Sequence, residues 1–144
     1  MAGRKSAKRK QEGRVLGRGL GGAARTQACV RAIWELESQV NNGGFYQYFW
    51  NTSAGTIPGI WQALQAIGAT STAGIVNDAI AAVGTLPWRD DEARRERLEA
   101  LPDAVRDELE ILTQAFFCCP NDRTTLLYQY VSKNRGEISA PADF

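Results

Sequence analysis

Side chains able to do chemistry are scarce in this chain, and the scarcity narrows its function before any fold is considered. None of the 144 residues is histidine, the three cysteines are Cys29 and the adjacent Cys118 and Cys119, and beyond residue 25 the single lysine is Lys133. Proton transfer near neutral pH would need a carboxylate pair, or a lysine or thiol activated by its surroundings. No base adjoins Cys118 and Cys119, which follow Phe116 and Phe117. That context reads as burial. An odd, sparse set of cysteines matches neither a disulfide framework nor zinc-ligand spacing, so all three are expected as reduced, small apolar core residues. Gly17, Gly19 and Gly22 have the spacing of a dinucleotide-binding fingerprint, but no strand precedes them and no acidic residue follows at the needed distance. No enzymatic site, cofactor or metal is expected.

Carboxylates are the one reactive group present in quantity. Between Asp90 and Glu110, nine acidic residues stand against Arg94, Arg95, Arg97 and Arg106, a net charge of −5. On helices, Glu92, Glu96 and Glu99 share one face, and Asp103, Asp107 and Glu110 repeat that spacing. Neighbouring carboxylates would lie about 5 to 6 Å apart along the axis, comparable to phosphates along a strand. One reading is a phosphate-like array that meets a basic protein surface. The other is a solvated helix face, with Asp90–Arg94 and Asp91–Arg95 as ordinary pairs four residues apart.

The whole-chain charge of +1 conceals two opposite parts. Residues 1–25 carry eight basic side chains against Glu12 alone, a net of +7, which leaves −6 on the remainder. With six glycines and only Val15, Leu16 and Leu20 as large aliphatics, this segment cannot bury enough to offset its ordering entropy, so a disordered basic tail is expected over 1–25 and a domain over 26–144. The tail could bind DNA or RNA through salt-sensitive contacts, solubilise the chain, or fold back on the acidic face. No apolar run approaches the roughly 20 residues that cross a bilayer, and the basic N-terminus lacks the apolar part of a signal peptide. A cytoplasmic chain without membrane contact is expected.

These side chains must be positioned by helices. Cys29, Ile33, Leu36 and Val40 step along one face of a first helix that should end near Val40. Asn41-Asn42-Gly43-Gly44 then supplies residues that tolerate a left-handed backbone, where the chain should turn, with one of the two glycines tolerant of alanine. Thr56 with Pro58 reads as a cap and a first-turn proline before Ile60, Trp61, Leu64 and Ile67, and Gly68 stops that helix. Ser71 or Thr72 could cap the next, which Gly84 and Pro87 end. Asp90 begins a charged helix, Pro102 separates it from another bearing Val105, Leu109, Leu112 and Phe116, and Asn121 or Asp122 caps the last. No strand alternation persists. The expected fold is all-α, a bundle of about six short helices with short loops.

Just past the glycines, Phe45-Tyr46-Gln47-Tyr48-Phe49-Trp50 crowds five aromatics into six residues. Phe45, Tyr48 and Phe49 share a helical face and read as core, each ring burying about 150 to 250 Å². The alternative is a ligand-stacking platform. Tyr46 and Trp50 fall off that face and are expected to be exposed. Asn41, Asn42, Gln47 and Asn51 are expected to satisfy backbone groups freed at the turn and at helix ends.

The string QVNNGGFYQYFWN, followed by a glycine-containing loop, ALQAIGA, a charged helix and a closing LLYQYV, resembles the DNA-mimic-protein domain family, long catalogued mainly as a domain of unknown function. The similarity spans roughly residues 26–134. It implies an all-α fold without catalysis, and in acidic members a surface that imitates DNA phosphates and occupies a DNA-binding regulator. With that resemblance, the chain reads as a non-enzymatic interaction module. Its acidic face, Glu92, Glu96, Glu99, Asp103, Asp107 and Glu110, would engage a basic protein, and a homodimer is compatible with this. The alternative is a nucleic-acid-associated protein acting through its tail.

Overall fold

Local signals start and stop most of the elements. In the computed structural model, which describes residues 22–52, 56–119 and 121–134, the elements are α1 (Gly22–Asn51), a 3₁₀ turn (Ile57–Gly59), α2 (Ile60–Ile67), α3 (Thr70–Val83), α4 (Asp91–Glu99), α5 (Asp103–Phe117) and α6 (Arg123–Lys133). The fold is all-α, with no strand among the described residues. Asp90 caps α4 by accepting from the Ala93 N–H at 3.0 Å, and Asp122 caps α6 by accepting from Thr125 at 3.1 Å. Gly68 ends α2 in the left-handed conformation, φ 86°, where a Cβ would clash with the following backbone.

Three boundaries differ from expectation. Residues 22–25, assigned to the tail from composition, form the first turn of α1; the basic residues before Gly22 lie outside the described residues. Neither Ser71 nor Thr72 caps α3, which starts at Thr70. The Thr72 N–H instead donates to Asn121 Oδ1 at 3.0 Å, so this helix end is satisfied by a residue 49 positions away. Finally, α1 does not stop near Val40. It runs through Asn42, kinks at Gly43 (φ −157°, ψ 17°) and Gly44 (φ 80°, ψ −176°), and resumes to Asn51.

The two arms of α1 supply the centre of the core. Ile33, Leu36 and Val40 from the first arm and Phe45, Tyr48 and Phe49 from the second are wholly buried, against Ile60 and Leu64 of α2, Leu98 of α4, and Leu109 and Phe116 of α5. Helix α5 packs on α3 and α1, and α2 packs on α1, α3 and α6. Phe45 meets Phe116 edge-on at 5.7 Å, and Phe49 meets Trp88 at 5.5 Å. Such pairs add about 0.5 to 1.5 kcal/mol each beyond area burial. No described helix is long and apolar enough to cross a membrane.

The cysteines divide. Cys29 is buried, its thiol 3.6 Å from the Ala63 carbonyl, and burial pushes its pKa up to about 11 against a hydrogen bond with Tyr130 that lowers it. Cys118 is exposed and Cys119 half-buried, against the expectation of burial. They follow the last turn of α5, where Phe116 faces inward and Phe117 outward. Cys118, two residues past the inward Phe116, lies on the opposite side of the helix turn.

A candidate interaction site on the kinked helix

Each residue of the glycine-aromatic segment has a distinct environment, and the backbone dictates much of it. Gly44 holds a positive φ with ψ near 180°, a region almost closed to other residues. This re-aims the second arm of α1 and frees the Phe45 N–H from the helical ladder. Thr113 of α5 takes it at 3.1 Å, while the Thr113 hydroxyl donates to the Leu109 carbonyl at 2.8 Å. A Cβ on Gly44 would lie 3.0 Å from Thr113 Oγ1. The kink, the glycine and the threonine are therefore one device.

Gly43 is required for a different reason. An ideal Cβ there would stand 2.0 Å from Gln47 Oε1 and 2.8 Å from Gln47 Cβ. The missing side chain lets Gln47 lie back along the helix and donate to Gln39 Oε1 at 3.0 Å, where Asn51 Nδ2 also donates at 3.2 Å. Asn41 donates to Glu37 at 3.4 Å. The amides thus bond side chains of α1, and the expected role in satisfying turn backbone falls to Thr113. Asn42 is exposed. Both glycines are sterically constrained, so the expectation that one would tolerate alanine does not hold.

Phe45, Tyr48 and Phe49 are core, as their spacing indicates. The Tyr48 hydroxyl is buried without a hydrogen-bond partner among the described residues, and burial, with the Glu35 charge nearby, drives its pKa upward. Tyr46 and Trp50 are half-buried rather than exposed, because arginines cover them. The two rings stack at 6.0 Å; the Arg106 guanidinium lies 4.9 Å from the Tyr46 centroid and that of Arg95 5.3 Å from Trp50. The aromatic pair is thus a platform for the chain's own cations, which tie α4 and α5 to α1.

The arginines of the acidic segment chiefly serve backbone carbonyls. Arg94 is 0% exposed. Its Nε donates to Phe49 O at 2.8 Å, Nη1 to Trp88 O at 2.9 Å and Asp91 Oδ1 at 2.8 Å, and Nη2 to Trp50 O at 3.1 Å and Thr52 O at 3.5 Å. Arg95 donates to Trp50 O at 3.1 Å, Arg97 to Thr85 O at 3.3 Å, and Arg106 to Glu99 O at 2.9 Å and Leu98 O at 3.3 Å. A guanidinium carries five donors in a planar fork and suits the orphaned carbonyls and negative end of a helix C-terminus. The expected Asp90–Arg94 and Asp91–Arg95 pairs are absent among the described residues: Asp90 is a cap, and Asp91 pairs with Arg94 three residues on.

Glu92, Glu96, Glu99, Asp103, Asp107 and Glu110 are all exposed, three along α4 and three along α5. Glu110 accepts from Gln114 at 3.1 Å. Among the described residues the other five have no ion-pair or hydrogen-bond partner for their carboxylates. Glu99 also lines an open recess of about 450 Å³ with Tyr46, Gln47, Trp50 and Asn51. Arg94 and Thr113 are the site residues that sequence reading missed. A signal for Arg94 existed, since it lies four residues before Leu98 and so on the same face of α4. No cluster of three or more potential metal ligands occurs among the described residues.

A family model described as DMP19-like protein matches residues 23–134. No curated protein and no solved structure matches the chain.

Proposed function

The chain belongs to the DMP19-like protein family, and from that premise we propose that it is a non-enzymatic, cytoplasmic interaction module whose acidic helices engage a basic protein surface in place of DNA. The observation that carries this reading is the disposition of charge along Asp90–Glu110. Its arginines bond backbone carbonyls, one of them in the core, while five of the six face carboxylates stand exposed without partners among the described residues. A solvated face of ordinary salt bridges would pair these groups with one another. Here the negative charge projects outward and stays available, the arrangement that steers and orients a cationic partner.

The test compares the full chain with a variant in which Glu96, Glu99, Asp103 and Asp107 become amides. Both are immobilised and exposed to a lysate of the native source, and bound proteins are challenged with duplex DNA and with salt. We expect a basic protein that DNA displaces, and that the amide variant fails to retain although its circular dichroism is unchanged. Equal capture by both proteins, or capture indifferent to DNA, would remove the reading.

A further inference from the structure

We propose that the recess beside the stacked pair receives one arginine side chain of the basic partner; this deepens the reading above and rests on it. Its polar lining includes the Glu99 carboxylate and the side-chain amides of Gln47 and Asn51. Gln47 and Asn51 both give amide hydrogens to Gln39 Oε1, so their carbonyl oxygens are turned the other way. That of Gln47 rests over Gly43, and that of Asn51 has no partner among the described residues. At the edge stands the exposed Glu99 carboxylate, also unpartnered, on a residue whose backbone carbonyl is held by Arg106 at 2.9 Å. The remaining lining is the aromatic surface of Tyr46 and Trp50.

A site with a carboxylate, an amide oxygen and aromatic walls asks for a planar, donor-rich cation. Guanidinium has only donors, forms two-point contacts with carboxylate and is weakly hydrated enough to rest on aromatic surface, whereas ammonium is a compact, strongly hydrated charge. The neighbouring arginines do not fill this role themselves. Arg95 donates to Trp50 O, and Arg106 to Leu98, Glu99 and Leu101 carbonyls, and neither bonds the Glu99 carboxylate. Their guanidiniums cover Trp50 and Tyr46, so the rings are held in place before a guest arrives.

The experiment titrates the ¹⁵N-labelled full chain with the capped peptide acetyl-Gly-Arg-Gly-amide, following the Trp50 indole N–H and the Asn51 side-chain amide. A capped peptide with citrulline in place of arginine keeps the shape without the charge. Trp34 and Trp61, which are exposed elsewhere, report nonspecific contact. We expect saturable shifts at Trp50 and Asn51 with a dissociation constant on the order of millimolar, absent with citrulline and at Trp34 and Trp61. Glu99→Gln should weaken binding about tenfold, and Glu92→Gln, two turns away on α4, by less than about twofold. No saturable Trp50 shift, equal response to citrulline, or equal shifts at Trp34 and Trp61 overturns the proposal. So does a response to inorganic phosphate instead, which would mean that the amides present donors to the recess. No partner protein enters this titration. Its failure beside a successful capture experiment would discard the recess and leave the acidic face in place.

Discussion

The two sides of the short segment Phe45–Asn51 are built on different physical terms. Its inward side, Phe45, Tyr48 and Phe49, is wholly buried among apolar residues of α2, α4 and α5. Its outward side, Tyr46, Gln47, Trp50 and Asn51, is half-buried or exposed and is ordered by hydrogen bonds to Gln39 and by arginines from α4 and α5. The inward side makes the fold. The outward side positions the helices that carry the carboxylates. One helical turn thereby couples the core to the acidic surface, and substitutions on its two sides should separate stability from binding.

The largest losses should come from the inward side and its buried cap. Replacing Arg94 by Met would leave the Phe49 and Trp88 carbonyls without their guanidinium donor, while the Trp50 carbonyl keeps Arg95, at a cost of about 3 to 5 kcal/mol. Phe45→Ala and Phe49→Ala should cost about 3 to 5 kcal/mol each by loss of burial and creation of a cavity. Equilibrium denaturation measures all three, and near-native stability for either Phe variant would make the segment a surface platform.

How far the sequence revealed this division depends on the range of each interaction. Caps such as Asp90, Asp122 and Gly68 were legible because donor and acceptor lie within a turn of each other. Phe45, Tyr48 and Phe49 were legible because helical periodicity places them together. The Thr113 bond to Phe45 spans 68 positions and the Arg94 bond to Phe49 spans 45, and no local pattern encodes such pairings. Arginine is also usually a surface residue, so Arg94, Arg95 and Arg106 read as counter-charges to the acids around them. The same absence of tertiary information made Tyr46 and Trp50 look exposed, since the arginines that cover them come from α4 and α5.

A middle-sized effect should separate the kink from the surface. Gly44→Ala must distort a positive φ and crowd Thr113, and should cost about 1 to 3 kcal/mol. Thr113→Val keeps the shape but strands the Phe45 N–H, at about 1 to 3 kcal/mol. The two losses should be less than additive when combined, because both disturb one hydrogen bond. Strict additivity in denaturant midpoints would show that kink and threonine are independent.

Smaller effects belong to the outward pair. Tyr46→Ala or Trp50→Ala removes a cation–π contact worth about 0.5 to 1 kcal/mol and some partly buried surface, so stability should fall by only about 1 to 2 kcal/mol. Hydrogen exchange should quicken in α4 for Trp50→Ala and at the start of α5 for Tyr46→Ala, since those are the elements that Arg95 and Arg106 tether. Uniform acceleration through the core would contradict a tethering role.

The finest distinction lies within the glycine pair. At Gly44 the chief obstacle is the backbone, whose positive φ no neighbouring substitution relieves, with Thr113 Oγ1 3.0 Å from a new Cβ beside it. At Gly43 it is the Gln47 side chain, whose Oε1 and Cδ would stand 2.0 and 2.7 Å from a new Cβ. Gln47→Ala removes both of those atoms but keeps Gln47's own Cβ, 2.8 Å away, so relief should be partial. In a double-mutant cycle, Gln47→Ala should recover about 0.5 to 1 kcal/mol of the Gly43→Ala loss and none of the Gly44→Ala loss. Recovery at both positions would mean that crowding by Gln47 governs the whole kink. Recovery at neither would mean that Gly43 is held by its backbone as well, and that the path it opens from Gln47 to Gln39 is incidental.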